Sequence, residues 1–304
     1  MVNFGSHELL DLNLHCAPDP VERTAMVVVV DNFSTMDERA AVRQLCGERG
    51  WHLVPQADNP GFGAGCNAGV RFAAARGAAS VLLVNPDAVV SATVAQELHS
   101  HVVAEPRTLI SPRIATSTGD PYFHGIQLDL RSGRMRGRAR PDADAPARHY
   151  LTSDAANRDW LSGACMAFSL ELWDRSGGFD EGYFLYWEDV DFSQRCVRAG
   201  ARLCLRQDLE VVHDEGATHG QQQSRARSST YYYYNCRNRL LYASRHLGPR
   251  LRWRWFWRTP AESRQILLRG GRRQLLHSSA PLRAAVGGTL AGVGVLLRPP
   301  PSVR

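Results

Sequence analysis

Short apolar runs alternate with amphipathic segments over the first third of the chain. Apolar runs of four or five residues, rich in valine and leucine, are typical of parallel strands that are covered on both faces. Segments with apolar positions three and four residues apart predict helices between them. The predicted strands are 26–30, 51–55 and 81–84, and the predicted helices are 37–49 and 70–76. This alternation predicts an α/β fold with a mostly parallel central sheet flanked by helices.

The pattern is irregular between residues 119 and 157, where arginine, aspartate, proline and glycine dominate. Such a composition predicts a surface excursion or mobile loop. Apolar positions return at Trp160, and an aromatic and acidic segment occupies residues 179–192. The later predicted elements are a helix ending at Arg198, a strand at 209–212 and a helical region from about residue 231.

The basic residues are concentrated at the C-terminal end. All 36 of them are arginine, and the whole chain has a formal charge of +6. Residues 245–304 contain twelve Arg and one Glu, a net charge of +11, so residues 1–244 carry −5. We therefore predict a mildly acidic domain at 1–244 and a basic helical extension at 245–304. The extension predicts an anionic partner, either membrane lipid or nucleic acid.

Cysteine use and hydropathy bear on the compartment. The seven cysteines are odd in number and include no C-x-x-C pair, so we expect reduced thiols in a cytoplasmic protein. The longest apolar run, residues 284–297, has 14 residues. A membrane-spanning helix needs roughly 20, and the first residues do not read as a signal peptide. We expect a cytoplasmic protein, either soluble or peripheral on the inner face of the cell membrane.

Two carboxylates directly follow predicted strands. Asp31 ends the first apolar run, and Asp87 follows the third in the sequence Asn85-Pro86-Asp87. Ligands of open α/β sheets bind beyond the carboxyl ends of the strands. One carboxylate there can accept a hydrogen bond from an N–H group of a nucleotide base. Another can hold a divalent cation that binds a diphosphate. Either motif alone is also typical of an ordinary helix-capping turn.

A glycine-rich loop occupies residues 59–69, with four glycines in the nine positions from Gly61 to Gly69. Glycines at the start of a helix allow the backbone to approach a ligand closely. The loop does not follow the first strand directly, so it is a poor dinucleotide-binding fingerprint. A tight helix-packing turn is the alternative.

The segment from Tyr183 to Phe192 places Glu188, Asp189 and Asp191 among aromatic residues. Apolar surroundings raise the pKa of a carboxyl group, which suits a general base. The alternative is a helix N-terminus whose acidic residues only meet the helix dipole. His213, at the end of a predicted strand, is a candidate metal ligand, with His219 as its competitor.

The order and spacing of these motifs resemble the large second family of inverting glycosyltransferases, which have the GT-A fold, and within it the rhamnosyltransferase-like branch. The resemblance extends over about residues 2–245. The motifs that carry it are, in order, VVVDNFST at 28–35, NPGFGAGCNAG at 59–69, LVNPD at 83–87, WLSGA at 160–164, GGFDEGYF at 177–184, EDVD at 188–191 and VH at 212–213.

The resemblance implies a nucleotide-binding half at about 1–118 and an acceptor-side half at about 158–244 within a GT-A catalytic domain. It implies Asp189 as catalytic base with Glu188 beside it. It also implies Mg²⁺ or Mn²⁺ at Asp87, supported by His213. The residues implied in nucleotide-sugar binding are Asn3, Asp31, Asn32, Asn59, Gly61, Gly63, Asn67, Asn85, Trp160 and Gly163.

The sequence departs from the family at its first strand. Family members open with a full apolar strand before an Asn-aromatic turn, whereas here Asn3-Phe4 follows only two residues. We expect most of that strand to be absent, which bears on nucleotide affinity.

Residues 249–273 combine eight Arg with three Trp and one Phe. Arginine beside aromatic residues is typical of a helix on an anionic membrane surface. No nucleic-acid-binding motif accompanies these residues, so we expect no nucleic acid partner. The alternative is a solvated helical appendage whose Trp residues pack on the catalytic domain.

The expected reaction is transfer of a sugar from a nucleotide diphosphate donor, with inversion, in cell-surface polysaccharide or glycoconjugate biosynthesis. The resemblance suggests dTDP-rhamnose as donor, and a saccharide, lipid-linked or small-molecule hydroxyl as acceptor. Two alternatives stay open: a nucleotide-sugar-forming nucleotidyltransferase, and a non-catalytic or impaired relative that binds nucleotide sugars. The first is expected to show a basic, glycine-rich phosphate loop directly after the first strand, and none is visible.

Overall fold

The computed structural model describes residues 1–14, 25–117, 121–123, 125–137, 146–213 and 227–298. His219 lies outside the described residues. The strands are β1 (Val2–Asn3), β2 (Val28–Asp31), β3 (His52–Pro55), β4 (Ser80–Val84), β5 (Ala88–Val89), β6 (Thr108–Ala115), β7 (Pro121–Phe123), β8 (Ile126–Asp129), β9 (Arg134–Gly137), β10 (Arg148–Leu151), β11 (Asn157–Trp160), β12 (Cys165–Ser169) and β13 (Arg202–His213). The helices are α1 (His7–Asn13), α2 (Met36–Arg49), α3 (Phe62–Ala74), α4 (Ala92–Ala104), α5 (Leu170–Ser176), α6 (Glu188–Arg198), α7 (Ser229–His246), α8 (Pro249–Leu268), α9 (Gln274–His277) and α10 (Ala280–Leu297).

The first three strands form a parallel sheet in the order β1–β2–β3. Val29 and Val30 of β2 are fully buried, as expected for its apolar run. β1 has two residues. Its Asn3 lies opposite Asp31. The carboxyl ends of β1 and β2 therefore bring these two polar residues together.

The larger sheet has seven strands, ordered β10–β13–β6–β12–β4, with β5 on β13 and β7 on β6. Among its described strands only β6 and β13 pair in parallel. The expectation of a mostly parallel sheet therefore holds for the first three strands and not for this one. β12 is the reason: all five of its residues are buried, and it enters antiparallel between β4 and β6. The alternation of strands and helices in the first third of the chain gave no sign of this insertion.

The glycine-rich segment is helical almost from its start. The sequence predicted a turn up to Gly69 and a helix over 70–76, whereas α3 begins at Phe62. A Cβ atom on Gly65 would lie 2.8 Å from Val2, and one on Gly69 would lie 3.0 Å from Val30. The glycines therefore let α3 pack closely on β1 and β2, which is the helix-packing role that the sequence left open.

The expected loop over residues 119–157 was wrong for its described part. β8 and β9 form a hairpin whose turn includes Gly133 at φ +73°, and β11 pairs with β8 to give a three-stranded antiparallel sheet. Leu128 is fully buried, whereas the arginines of β9 are partly or fully exposed. The charged outer face of this sheet gave it the composition of a loop.

Three long helices, α7, α8 and α10, pack together at the C-terminal side. Gly288 and Gly292 allow α10 to approach α7, since Cβ atoms there would lie 2.8 Å from the Tyr233 Cα and 3.0 Å from the Arg237 Cα. Trp255 of α8 is fully buried and donates its indole N–H to the Leu130 carbonyl at 2.7 Å. Helix α7 continues across residue 244 to His246. The division into a catalytic domain at 1–244 and an extension at 245–304 stays a prediction.

One helix in the described part of the chain, α10, is long and apolar enough to cross a membrane by length and composition. The apolar run considered in the sequence covers residues 284–297. Helix α10 also includes residues 280–283 and therefore has 18 residues. Of this helix, 28% is buried inside the protein. Six cysteines lie in the described residues, and all six are free and buried, as the expected reduced state requires.

Candidate active site

Asp31 ends β2 with one carboxylate oxygen engaged and one open. Its Oδ2 accepts from the Arg39 Nε at 2.6 Å, and Arg39 also stacks on the Phe33 ring at 4.5 Å. Its Oδ1 is buried and has no hydrogen-bond partner among the described residues. An acceptor that is buried without a partner is costly. The predicted role of Asp31 in binding the nucleotide base requires such an unpaired acceptor and stays a prediction.

Asn3, opposite Asp31, is buried and bonded within the protein. Its Oδ1 accepts from the Ser6 backbone N–H at 3.2 Å and from the Ser6 hydroxyl at 2.9 Å, and its Nδ2 donates to Glu38 at 3.1 Å. These bonds fix the turn after β1 against α2. Asn3 thus supports this turn, and its predicted contact with the nucleotide sugar stays a prediction.

Asn32 connects the end of β2 with the glycine-rich segment. Its Nδ2 donates to the Gly61 carbonyl at 2.9 Å and to the Asn59 Oδ1 at 3.3 Å. Asn59 Oδ1 also accepts from the Gly61 N–H at 3.0 Å. Gly61 has φ +99°, and a Cβ on it would lie 2.8 Å from the Phe184 Cα. Only glycine allows the residue 59–61 turn to touch the aromatic segment at this point.

Asn67 and Gly63 join α3 to the segment that precedes the acidic residues. Asn67 Oδ1 accepts from the Phe179 N–H at 2.8 Å, while its Nδ2 donates to the Phe179 carbonyl at 2.9 Å and to Glu181 at 3.0 Å. A Cβ on Gly63 would lie 3.2 Å from Phe179. Both residues thus hold the 179–187 segment against α3.

Asp87 and His213 meet at the opposite edge. The Asp87 Oδ1 and the His213 Nε2 are 3.0 Å apart, and both side chains are largely buried. Ala88 lies opposite His213 in the pairing of β5 with β13, which brings the two ligand candidates together. Asn85 has a buried Oδ1 without a hydrogen-bond partner among the described residues.

A carboxylate oxygen and an imidazole nitrogen both bind divalent cations, so the chemistry of the Asp87–His213 pair fits such an ion. Their separation of 3.0 Å is also that of an ordinary hydrogen bond. In the described part of the chain, no group of three or more His, Cys, Asp or Glu side chains is arranged to hold a metal. Such a pair is sufficient where diphosphate oxygens supply further ligands, because Mg²⁺ sites use one or two carboxylates plus substrate phosphates.

Two consecutive residues link this edge to the acidic segment. The Ala164 carbonyl accepts from the Asn85 N–H at 2.9 Å, and the Gly163 N–H donates to the Asp189 Oδ2 at 3.1 Å. Trp160, at the end of β11, is buried just before this turn. The predicted metal edge and the predicted base are therefore separated by a single turn of chain.

Glu188 and Asp189 begin α6 in a poorly solvated position. Burial raises the pKa of Asp189 to about 6, although the Gly163 and Val190 N–H groups lower it in part. Burial and the Asp189 charge raise the pKa of Glu188 well above its usual range, and the Glu188 Oε2 is buried without a hydrogen-bond partner among the described residues. Asp189 remains half-buried, so it is the carboxylate of the pair that a substrate can reach.

Asp191, the competing carboxylate, is buried and fully engaged. Its Oδ2 pairs with the Arg195 Nε at 2.7 Å and its Oδ1 with the His246 Nε2 at 2.6 Å. Burial acts to raise the pKa of Asp191, but His246 and Arg195 outweigh it and hold that pKa below its usual value. These contacts anchor α6 to α7 and leave Asp189 as the base candidate.

The two residues before Glu188 have an uncommon backbone. Tyr186 and Trp187 have φ of 66° and 76°, a region that residues other than glycine rarely occupy. Asn238 of α7 holds this bend by donating to the Leu185 carbonyl at 2.9 Å and the Tyr186 carbonyl at 2.8 Å. Asn238, Arg39 and His246 were not predicted from the sequence. No local pattern indicates which residue of a distant element will contact a site residue.

The fold of this chain is similar to that of known glycosyltransferases. No family model matches the chain. In solved structures, the chain is similar to the mannosyltransferase PcManGT from Pyrobaculum calidifontis in complex with GDP-Man and Mn²⁺, with a TM-score of 0.55, 16% identity, and coverage of 97% of this chain and 85% of that one. It is also similar to GalNAc-T7 with UDP, GalNAc and Mn²⁺, with a TM-score of 0.53, 15% identity, and coverage of 78% and 48%.

The chain has the GT-A fold. This confirms the fold class predicted from the sequence.

Curated relatives agree with this GT-A assignment. The low-salt glycan biosynthesis hexosyltransferase Agl10 of Haloferax volcanii is 27% identical over 242 residues, 79% of this chain and 73% of the relative. The N-acetylglucosaminyl-diphospho-decaprenol L-rhamnosyltransferase of Mycobacterium tuberculosis is 27% identical over 260 residues, 79% of each. This GT-A chain is thus a homologue of glycosyltransferases, and the predicted resemblance to a rhamnosyltransferase-like branch is confirmed.

Proposed function

We propose that this chain is a metal-dependent, inverting glycosyltransferase that moves a sugar from a nucleotide diphosphate to a hydroxyl acceptor in polysaccharide or glycoconjugate biosynthesis. The observation that carries the proposal is the single turn at 163–164, which joins the Asp189 carboxylate to the Asn85–Asp87 edge. Inverting transfer needs a base on one side of the anomeric carbon and charge stabilisation at the leaving diphosphate on the other.

The nucleotide is expected at the ends of β1 and β2. The open Oδ1 of Asp31 accepts from the base, and the open Asn85 Oδ1 is available to the ribose. Gly61 and Gly63 let the 59–69 segment pack closely on Phe184 and Phe179 beside this edge. We take dTDP-rhamnose as the first donor to test, because rhamnosyltransferases are among the relatives.

Asp189 takes the proton from the acceptor hydroxyl in this proposal. A carboxylate with a pKa of about 6 is ionised at neutral pH yet basic enough to accept a proton in the transition state. The Gly163 N–H donates to its Oδ2 at 3.1 Å and the Val190 N–H donates to its Oδ1 at 2.8 Å, so two backbone groups hold the carboxylate in position. Burial and the Asp189 charge raise the pKa of Glu188, which favours its neutral form and so limits the negative charge beside the base.

Asp87 and His213 would hold Mg²⁺ or Mn²⁺. The ion supplies electrostatic stabilisation of the charge that develops on the leaving diphosphate. The relatives PcManGT and GalNAc-T7 were solved with Mn²⁺. The residues of this chain contribute by orienting the diphosphate through the Asp87 side chain and the turn that follows β4.

A lipid-linked acceptor is the class we favour, because a relative is named for a diphospho-decaprenol acceptor. Such an acceptor requires contact with a membrane, and the C-terminal helices offer a surface for it. Four exposed apolar residues of α10, Leu282, Val286, Leu290 and Leu297, fall within an arc of about 80° at 100° per residue. We call these four residues, with Trp253 and Trp257, the C-terminal apolar surface.

The C-terminal apolar surface is contributed by α8 and α10 and has basic residues on α8. Trp253 and Trp257 are 54% and 74% exposed, and Trp253 lines one groove together with Leu297. Arg250, Arg254 and Arg264 are on the same helix as the two Trp residues. We propose that this surface, which extends the predicted 249–273 contact to α10, binds the anionic inner face of the cell membrane.

The deciding experiment is transfer from a panel of nucleotide sugars to saccharide and diphospho-lipid acceptors, with Mn²⁺ and with a chelator. Metal-dependent transfer with an inverted anomeric configuration, read by NMR of the product, is the expected result. Release of pyrophosphate from a nucleoside triphosphate would instead identify a nucleotidyltransferase. Nucleotide-sugar binding without hydrolysis or transfer would identify a non-catalytic relative.

A further inference from the structure

A cavity of about 110 Å³ lies behind Trp187, between the β8–β9 turn, α7 and α8. Its lining includes three arginines from three different elements: Arg134 of β9, Arg239 of α7 and Arg269 of α8. Water occupies about 30 Å³ per molecule in the liquid, so the cavity has room for a group larger than one water. None of the residues proposed above to contact the donor lines it.

Arg239 carries a buried charge whose direct hydrogen-bond partners among the described residues are neutral, although the Glu262 carboxylate also attracts it. It is 2% exposed, its Nη2 donates to the Ser132 carbonyl at 2.8 Å, and its guanidinium stacks on the Trp255 ring at 4.6 Å. Its Nε has no hydrogen-bond partner among the described residues. Burial lowers the pKa of Arg239 to about 10. A buried cation without a carboxylate is unfavourable, so the site would gain from a bound anion.

The charges that face the cavity do not cancel. Glu262 is its one acidic lining residue, and it pairs with Arg134 at 2.7 Å. Arg258, on the next turn of α8, lies 3.5 Å from the same carboxylate. Arg239 and Arg269 are left without a carboxylate partner among the described residues. The cavity therefore has an excess of positive charge that a phosphate group can neutralise with charge-assisted hydrogen bonds.

The position of the cavity relates it to the acceptor. Trp187 forms part of its wall and stands two residues before Asp189 in the chain. The wall of the cavity and the proposed base therefore belong to one short segment, residues 187–189, whereas the donor diphosphate is proposed at the Asp87 edge. An acceptor whose hydroxyl reaches Asp189 while its own phosphate enters this cavity must carry the phosphate near the reacting sugar.

We propose that this cavity binds the phosphate or diphosphate of the acceptor, so that the substrate class is a glycosyl phosphate or diphosphate linked to lipid. The inference rests on the proposed transferase function for its biological meaning. Its physical content, an anion site formed by Arg134, Arg239 and Arg269, is independent of catalysis and can be tested without turnover.

The first test uses inorganic pyrophosphate and, as a soluble lipid diphosphate, geranyl diphosphate, in the presence of a chelator. Binding is measured by calorimetry for the wild type, Arg269→Gln and the matched control Arg264→Gln. Arg264 is exposed on the same helix and does not line the cavity. We expect affinity to fall about tenfold or more in Arg269→Gln, because a hydrogen bond to a charged group is lost, and to be unchanged in Arg264→Gln.

Each outcome decides the proposal. Equal affinity in the two variants, or no binding to the wild type, would overturn it. Tighter binding of geranyl diphosphate than of pyrophosphate supports a lipid diphosphate, and the reverse order supports a free phosphate ligand. A second variant, Arg134→Gln, must weaken the same ligand. If these anions bind the cavity but no nucleotide sugar is transferred, the proposed function fails while the anion site stands.

The second test applies where transfer is detected. The KM for a diphospho-lipid acceptor is expected to rise about tenfold in Arg269→Gln, with a smaller change for a phosphate-free alkyl glycoside carrying the same sugar. An equal rise for both acceptors would show that Arg269 does not recognise phosphate.

Discussion

Asp189 and Asp191 are two residues apart in α6 but have opposite environments. Side chains at this spacing point about 200° apart on a helix. Asp189 faces the Gly163 turn with a raised pKa, whereas Asp191 points into the protein and pairs with Arg195 and His246. A single turn of α6 therefore contains both a carboxylate suited to catalysis and one that anchors the helix.

Replacing Asp189 with Asn should lower kcat by about 10²- to 10⁴-fold, the usual contribution of a positioned general base. Donor affinity should change little, because Asp31 and the Asp87 edge hold the nucleotide. Steady-state transfer assays and donor calorimetry measure the two quantities. The control is Asp191→Asn, which breaks a buried ion pair and should lower the free energy of unfolding by roughly 3 kcal/mol. A normal kcat in Asp189→Asn would show that Asp189 is not the general base.

The pH profile follows from the raised pKa of Asp189. A base is active when ionised, so kcat/KM should be constant at neutral pH and fall about tenfold per pH unit below about 6. Glu188 is adjacent and its pKa is also raised, so the pKa observed in the pH profile belongs to the pair of carboxyl groups. Glu188→Gln removes the second carboxyl group and should leave one acidic limb. An acidic limb near pH 4 would show that Asp189 has an ordinary pKa.

Asp87→Ala should abolish Mn²⁺-dependent nucleotide binding, because His213 alone is a weak site for a cation that prefers oxygen ligands. Calorimetry of nucleoside diphosphate binding with Mn²⁺ and with a chelator measures the effect, and circular dichroism checks the fold. Metal-dependent binding that persists in this variant would remove Asp87 from the metal site.

At the scale of elements, the bend before α6 depends on α7. Tyr186 and Trp187 hold left-handed backbone conformations, and Asn238 donates to the two carbonyls that flank the bend. The base therefore stands at the start of a helix whose entry is fixed by a residue almost fifty positions later. Strain of this kind persists only where the surroundings impose it.

Asn238→Ala should reduce kcat by roughly tenfold or more while changing donor affinity less, because two buried hydrogen bonds of about 1 kcal/mol each are lost and the bend can relax. Transfer kinetics and thermal unfolding measure the two effects. Ser244→Ala is the control, since its hydroxyl bonds only to the Leu241 carbonyl of the same helix. Equal kinetic losses in both variants would mean that α7 acts on stability alone.

The sequence predicts some elements much better than others, for physical reasons. β2, α2 and β4 follow from their apolar periodicity and agree with the structure within two residues. The motifs also named the polar residues that now lie in one chain of contacts from Asp31 to His213. By contrast, the arginines of β9 made the β8–β9 segment resemble a loop. The glycines that let α3 pack closely made its first half resemble a turn.

The partners of the site residues were beyond local reasoning. Arg39 holds Asp31, His246 holds Asp191 and Asn238 holds the bend, and each is contributed by a separate stretch of chain. Periodicity shows which face of an element is buried, but it does not show which distant side chain meets it. The antiparallel entry of β12 is unpredictable for the same reason.

At the scale of the whole molecule, the C-terminal helices have an inner and an outer face. Trp255 packs inside against Trp187, with ring centroids 6.4 Å apart, whereas Trp253 and Trp257 are exposed. The two interpretations of the tail, packing and membrane contact, therefore apply to different Trp residues of one helix. Deleting the tail would open the core, so point substitutions are the better test of membrane contact.

Replacing Trp257 and Leu290 with Ser should weaken binding to phosphatidylglycerol vesicles about tenfold or more, since each large apolar side chain buried in lipid contributes roughly 1.5–3 kcal/mol. Co-sedimentation measures the binding. The control is Leu12→Ser, an exposed apolar residue of α1 outside the C-terminal apolar surface. Unchanged vesicle binding in the double variant would contradict the proposal, and loss of a dimer in gel filtration would assign the surface to a second copy.

The burial of Trp255 against Leu130 and Trp187 also has a consequence for how the protein is made. During synthesis the ribosome releases the residues of the nucleotide edge and the base long before α8 and α10. Until α8 has emerged, the wall behind Trp187 is missing and the bend before Glu188 lacks part of its backing. A nascent or truncated chain is therefore expected to bind nucleotide before it can transfer sugar. Transfer competence and the C-terminal apolar surface are then expected to arise together, once α8 and α10 have emerged.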